Sequence, residues 1–78
     1  MIKKETYLVI SFDSTTRALH MEKTAKEDNV PGRIIPLPKE IDAGCGLAWA
    51  TRELDENYWR DYLKKGAIKY NSITILEL

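Results

Sequence analysis

The chain has 78 residues, 44% of them hydrophobic, which is enough for one small core and too little for a second, so the whole of it, residues 1–78, reads as a single domain. Twelve basic residues balance twelve acidic ones, with no block of either sign, which excludes the electrostatic footprint of a nucleic-acid binder. One cysteine and one histidine exclude an internal disulfide and make a poor ligand set for structural zinc, and no segment approaches the length of a membrane span.

Met1 to Glu5 runs directly into strand-like residues, without the apolar region and small-residue cleavage site of a secretory signal. The expectation is a cytoplasmic protein in a reducing compartment, where a lone thiol stays free. Tyr7 to Phe12 then alternates, with Leu8, Ile10 and Phe12 on one face and Tyr7, Val9 and Ser11 on the other, and predicts a first strand. Asp13 or Ser14 can cap a helix running to about Asp28, with Ala18, Met21 and Ala25 on its apolar side and Arg17, Lys23 and Lys26 turned away. Asn29 suits the left-handed conformation that ends a helix, and Pro31-Gly32 blocks its continuation.

Arg33 to Leu37 predicts a second strand, placed at a sheet edge because Pro36 has no N–H to give a central ladder. A loop from Lys39 to Gly46 follows, and Leu47 to Ala50 reads as a third strand. Asp55 can cap a second helix with Glu56 in its first turn, Trp59, Tyr62 and Leu63 as its apolar stripe, and Lys64-Lys65-Gly66 at its end. Ala67 to Leu76 predicts a fourth strand, with Asn71-Ser72 breaking its alternation as a bulge or turn would. The order βαββαβ satisfies an α+β, ferredoxin-like sandwich: an antiparallel sheet of order 4-1-3-2 with both helices on one face. That order places the second strand at an edge, as Pro36 requires. It also leaves a sheet face carrying Tyr7 and Val9 that no helix covers.

Cys45 lies between Gly44 and Gly46, whose missing side chains let a partner or small molecule approach the sulfur. Because the first and third strands are antiparallel neighbours, Phe12-Asp13-Ser14 should approach Cys45-Gly46. The sulfur would then stand near the start of the first helix, where free backbone N–H groups and the capping hydroxyls of Ser14, Thr15 and Thr16 favour an anion such as a thiolate or persulfide. Lys39 and Arg17 would add positive charge, opposed by Asp13 and Glu40. Against this stands a structural reading: a free cysteine packed as a small hydrophobe beneath a tight hairpin.

Three runs, Tyr7 to Lys23 (YLVISFDSTTRALHMEK), Val30 to Ile41 (VPGRIIPLPKEI) and Gly44 to Ala48 (GCGLA), together resemble a small bacterial family described as putative Se/S carrier-like proteins. The most specific part runs from Pro31-Gly32-Arg33 through Pro36, Pro38 and Lys39 to Cys45-Gly46. The resemblance implies that Cys45, with Gly46 beside it, holds sulfur or selenium as a persulfide or selenopersulfide between a donor and an acceptor protein, with no cofactor and no metal. At Lys39 the family often carries arginine, and lysine offers no planar fork for bidentate anion binding. Such a protein is a carrier or binding protein more than a turnover enzyme, and without a second thiol it must deliver to another molecule.

Other residues are weaker candidates. His20 reads as a solvated helix-face histidine rather than a base for Cys45, and Trp49, Trp59, Tyr58 and Tyr62 as core packing rather than a base-stacking platform. A different class of function is a small binding or regulatory module that uses the helix-free sheet face for a ligand or for pairing into a homodimer, with Cys45 incidental.

Overall fold

Leu8, Ile10 and Phe12 are all fully buried, on one side of the first strand, β1 (Thr6–Ser11), and of the residue that follows it. The computed structural model, which describes residues 4–41 and 44–78, carries this strand into an α+β sandwich of two helices and four strands. After β1 come α1 (Thr15–Asp28), β2 (Arg33–Pro36), β3 (Leu47–Thr51), α2 (Glu56–Lys65) and β4 (Ser72–Glu77). The sheet order is β2-β3-β1-β4, every pair antiparallel, which is the ferredoxin-like order with Pro36 on the edge strand β2.

Local chemistry sets the ends of α1. The Ser14 hydroxyl accepts the Arg17 N–H at 3.3 Å, while Asp13, the other capping candidate, holds the Arg17 guanidinium at 3.2 Å. At the far end Asn29 turns left-handed (φ 56°), and its N–H reaches the carbonyls of Ala25 and Lys26. In α2 the Asp55 carboxylate accepts the Tyr58 N–H at 3.1 Å. At its exit the left-handed residue is Ala67 (φ 52°), while Gly66 keeps a right-handed φ of −82°. Gly66 is small for another reason: a Cβ there would come 3.1 Å from Ile68 Cδ1 and 3.5 Å from the Tyr62 carbonyl.

That exit explains why β4 begins at Ser72 and not at Ala67. Ala67 and Ile68 spend their N–H groups on the carbonyls of Lys64 and Leu63, so they close the helix and drive Ile68 into the core. Elsewhere the strands differ from the sequence reading by one residue: β1 begins at Thr6, β2 stops at Pro36 and β3 runs on to Thr51. Leu37 still donates its N–H to the Gly46 carbonyl at 2.9 Å, one rung past β2.

Both helices cover the same face. Ala18, Met21 and Ala25 of α1 and Trp59 and Leu63 of α2 pack with Leu8, Ile10, Phe12, Trp49 and Ile68. Trp49 stands in register between Ile10 and Ile34, and its indole lies against Gly32, where a Cβ would sit 2.5 Å from the ring. Trp59 Nε1 donates to the Glu53 carbonyl at 2.9 Å. The opposite face is not the open surface that the helix count implied. Val9 there is fully buried, and so is Ala48, because Ile41 from the loop after β2 packs on them, with Tyr7, Ile35, Leu37, Leu76 and Leu78 around. The Ile41 N–H closes a turn onto the Pro38 carbonyl at 3.0 Å. Covering Val9 with a loop residue stabilises a small sheet by about 1.5–3 kcal/mol per side chain removed from water.

Candidate functional site

The loop that precedes β3 carries Cys45. Leu47 and Trp49 face the helices, and Cys45, two residues before Leu47, packs half-buried against the same core cluster. The thiol donates to the Leu47 carbonyl and accepts the Leu47 N–H, each at 3.3 Å, so one residue of the main chain meets the sulfur from both sides. Gly46 is left-handed (φ 74°), with no atom within 4 Å of where a Cβ would be, which keeps one flank of the sulfur open. The other flank is closer: a Cβ on Gly44 would meet the Asp13 carbonyl at 3.1 Å. The strand order therefore does bring the residues after β1 to the cysteine loop, through Asp13 and Gly44.

The sulfur's hydrogen bonds nevertheless go to Leu47 and not to the start of α1. Ser14 spends its hydroxyl on the Arg17 N–H, Thr15 and Thr16 open the helix as exposed residues, and Lys39 is exposed on the turn between Pro38 and Ile41. Among the described residues no hydrogen bond joins any of the four to Cys45. Arg17 is engaged by Asp13 at the surface, where such pairs are weak. His20 lies exposed on α1. The site so described is a half-buried thiol with main-chain partners, capable of accepting and releasing a group through thiol exchange. Among the described residues no cluster of three or more His, Cys, Asp or Glu side chains is arranged to hold a metal ion.

The sheet face that the sequence reading left free of helices around Tyr7 is concave. On the helix-free face a groove of about 430 Å³ is lined by Tyr7, Ile35, Pro36, Pro38, Arg33 and Glu40 among others, and an adjoining one of about 270 Å³ shares Tyr7, Arg33 and Ala50 with it. The Arg52 guanidinium lies 5.3 Å from the centre of the Tyr7 ring and pairs with Glu5. The signal in the sequence was parity: Tyr7, Arg33 and Ile35 all alternate with residues that face the helices. On the helices, Tyr62 donates to the Asp28 carboxylate at 2.7 Å and ties α2 to the end of α1. Burial, and then Asp28, hold the Tyr62 phenol well above its ordinary range.

No helix among the described residues is long and apolar enough to cross a membrane. A family model described as putative Se/S carrier protein-like matches residues 7–75, a span that includes every strand and helix in whole or part and the cysteine loop. No curated protein and no solved structure matches the chain.

Proposed function

Because the chain belongs to the putative Se/S carrier protein-like family, we propose that Cys45 is the group that holds the transferred atom, as a persulfide or selenopersulfide. The observation that carries this reading is the placement of the chain's sole thiol: partly buried, on a loop with exposed Gly44 and Gly46 on either side, and bonded among the described residues to the main chain of Leu47. In loading, the Cys45 thiolate attacks the terminal chalcogen of a donor persulfide or selenopersulfide, a new bond to Sγ forms, and the donor leaves as its thiolate. In delivery, an acceptor thiolate attacks that terminal atom and Cys45 leaves as thiolate, so each step conserves electrons and needs no further oxidant. The Leu47 N–H can bond to Sγ in the loaded and unloaded forms alike, whereas its carbonyl loses the thiol proton on loading.

Ser14, Thr15, Thr16 and Lys39 belong to this proposal as the supply of donors and positive charge around an incoming anionic group, since Asp13 already touches the cysteine loop at Gly44. Donor and acceptor are proteins met in turn in the cytoplasm, because a single thiol cannot discharge its own cargo within the chain. The test is mass spectrometry after incubation with a cysteine desulfurase and cysteine, or with a selenopersulfide donor. The expected product carries added sulfur or selenium on Cys45 alone, removed by reductant, and none appears on Cys45→Ser. A native chain that stays unmodified beside a loaded donor overturns the proposal.

The paired grooves on the helix-free face favour a second reading, a binding module for a small ligand with an apolar body, held between Tyr7 and Ile35 with Arg33 at its rim. On that reading Cys45→Ser leaves ligand binding unchanged.

A further inference from the structure

The two edges of the sheet are built differently. β2 is four residues long, ends in Pro36 and exposes Arg33, all of which discourage pairing with another strand. β4 forms the other edge with six residues, no proline and a single charge, Glu77. The reciprocal hydrogen bonds between Glu5 and Leu78, 2.9 and 3.0 Å, fix the phase of its pairing with β1. Alternation from that pair turns the main-chain groups of Ser72, Thr74 and Leu76 toward β1 and those of Ile73, Ile75 and Glu77 outward. Ile75, on the helix-covered face, is nonetheless 49% exposed. Ile75 shares a row of the sheet with Leu8 and Thr51, and Leu54, in the connection after β3, and Tyr58, on α2, are exposed as well.

We infer that β4 is the docking edge for a second copy of this chain, paired antiparallel about a two-fold axis through Thr74 to make a continuous eight-stranded sheet. An isologous pairing must keep each face of the sheet continuous, so residues of like parity stand opposite one another. About Thr74, Ile73 of each copy stands opposite Ile75 of the other, and both pairs are of the hydrogen-bonded type that the outward N–H and C=O groups require. The four isoleucines then form one apolar stripe on the helix side, and the two Thr74 side chains meet on the other. The pairing ends where β4 begins, with Ser72 of each copy opposite Leu76 of the other, because Asn71 turns its N–H inward to the Ser11 carbonyl at 2.7 Å. A formal net charge of zero leaves no overall repulsion between copies.

Sedimentation equilibrium over a wide concentration range tests the inference, with the fold of each variant checked by far-UV circular dichroism. The native chain is expected to dimerise reversibly, and Ile75→Lys to weaken the dimer by about tenfold or more, equivalent to roughly 1.4 kcal/mol. Ile75→Pro should do the same while sparing the bonds to β1, because the N–H it removes faces outward. A variant outside the apolar stripe is Thr74→Lys, which sets two like charges opposite one another at the two-fold axis and weakens the dimer. A native chain that remains monomeric throughout overturns the inference, and so does a dimer indifferent to these substitutions, since it would then use another surface.

Discussion

Replacing Gly32 by alanine sets the packing of Trp49 against two separate penalties that the structure lets one work out. Gly32 has φ of +140°, a region that only glycine visits at ease, so any side chain there costs about 1–3 kcal/mol in backbone strain. The added Cβ would also sit 2.5 Å from three atoms of the Trp49 indole, which is itself 2% exposed and locked between Ile10 and Ile34. Overpacking of this kind costs about 1–3 kcal/mol more, so Gly32→Ala should lose about 2–6 kcal/mol. For a small domain of about 5–15 kcal/mol total stability, with each kcal/mol worth about 4–8 °C, much of the population would unfold at moderate temperature. Gly46→Ala is the comparison, because Gly46 is also left-handed but has no neighbour within 4 Å, leaving about 1–2 kcal/mol of strain alone. Urea unfolding followed by tryptophan fluorescence gives both values. Equal losses for the two variants would mean that Trp49 has room to move and that the cradle at Gly32 is no constraint.

Further outcomes follow from the polar contacts. Tyr62 has its phenol pKa raised by burial and by Asp28, so its contribution to stability is full below the ordinary phenol pKa near 10 and is lost as pH rises through the higher folded value. Unfolding titrations across the alkaline range should therefore show a decline in the native chain that is smaller in Tyr62→Phe. Asp55→Ala removes the cap of α2 and should cost about 0.5–2 kcal/mol in chemical denaturation, whereas Asp55→Asn retains most of it. Cys45→Ser keeps a small side chain able to donate to and accept from Leu47, so thermal melts should place it within about 1 kcal/mol of the native chain even as sulfur loading disappears.

The elements that the sequence declares are those whose cause is local. Alternation through Leu8, Ile10 and Phe12, the oxygen of Ser14 three residues before an N–H that needs it, and the missing donor at Pro36 each act within a few residues, and each stands in the structure as read. What depended on distant chain was harder to read. An isolated Ile41 between Glu40 and Asp42 gave no period by which to assign it, yet it closes over Val9 and removes a surface that counting helices had left bare. The fourth strand started late because Ile68 belongs to the helix exit, a competition for N–H groups that β-propensity does not register. For the cysteine, topology brought Asp13 beside Gly44 of the loop, but the left-handed turn at Gly46 leaves the sulfur bonded to the main chain of Leu47. Its observed burial lies between the two readings: the thiol packs against the core cluster yet is only partly buried.

β1 illustrates what it means for so short a chain to close both sides of its sheet. From Leu8 to Ser11 it is flanked by strands on either hand and sealed above and below, with none of those four residues measurably accessible to water. Its amides should therefore be among the slowest in the molecule to exchange with deuterium, which hydrogen-exchange measurements can check. The segment around Cys45 lies outside that protected centre, with Gly44 and Gly46 exposed and the thiol partly buried. Loading of Cys45, as proposed, therefore does not require the centre of the sheet to open.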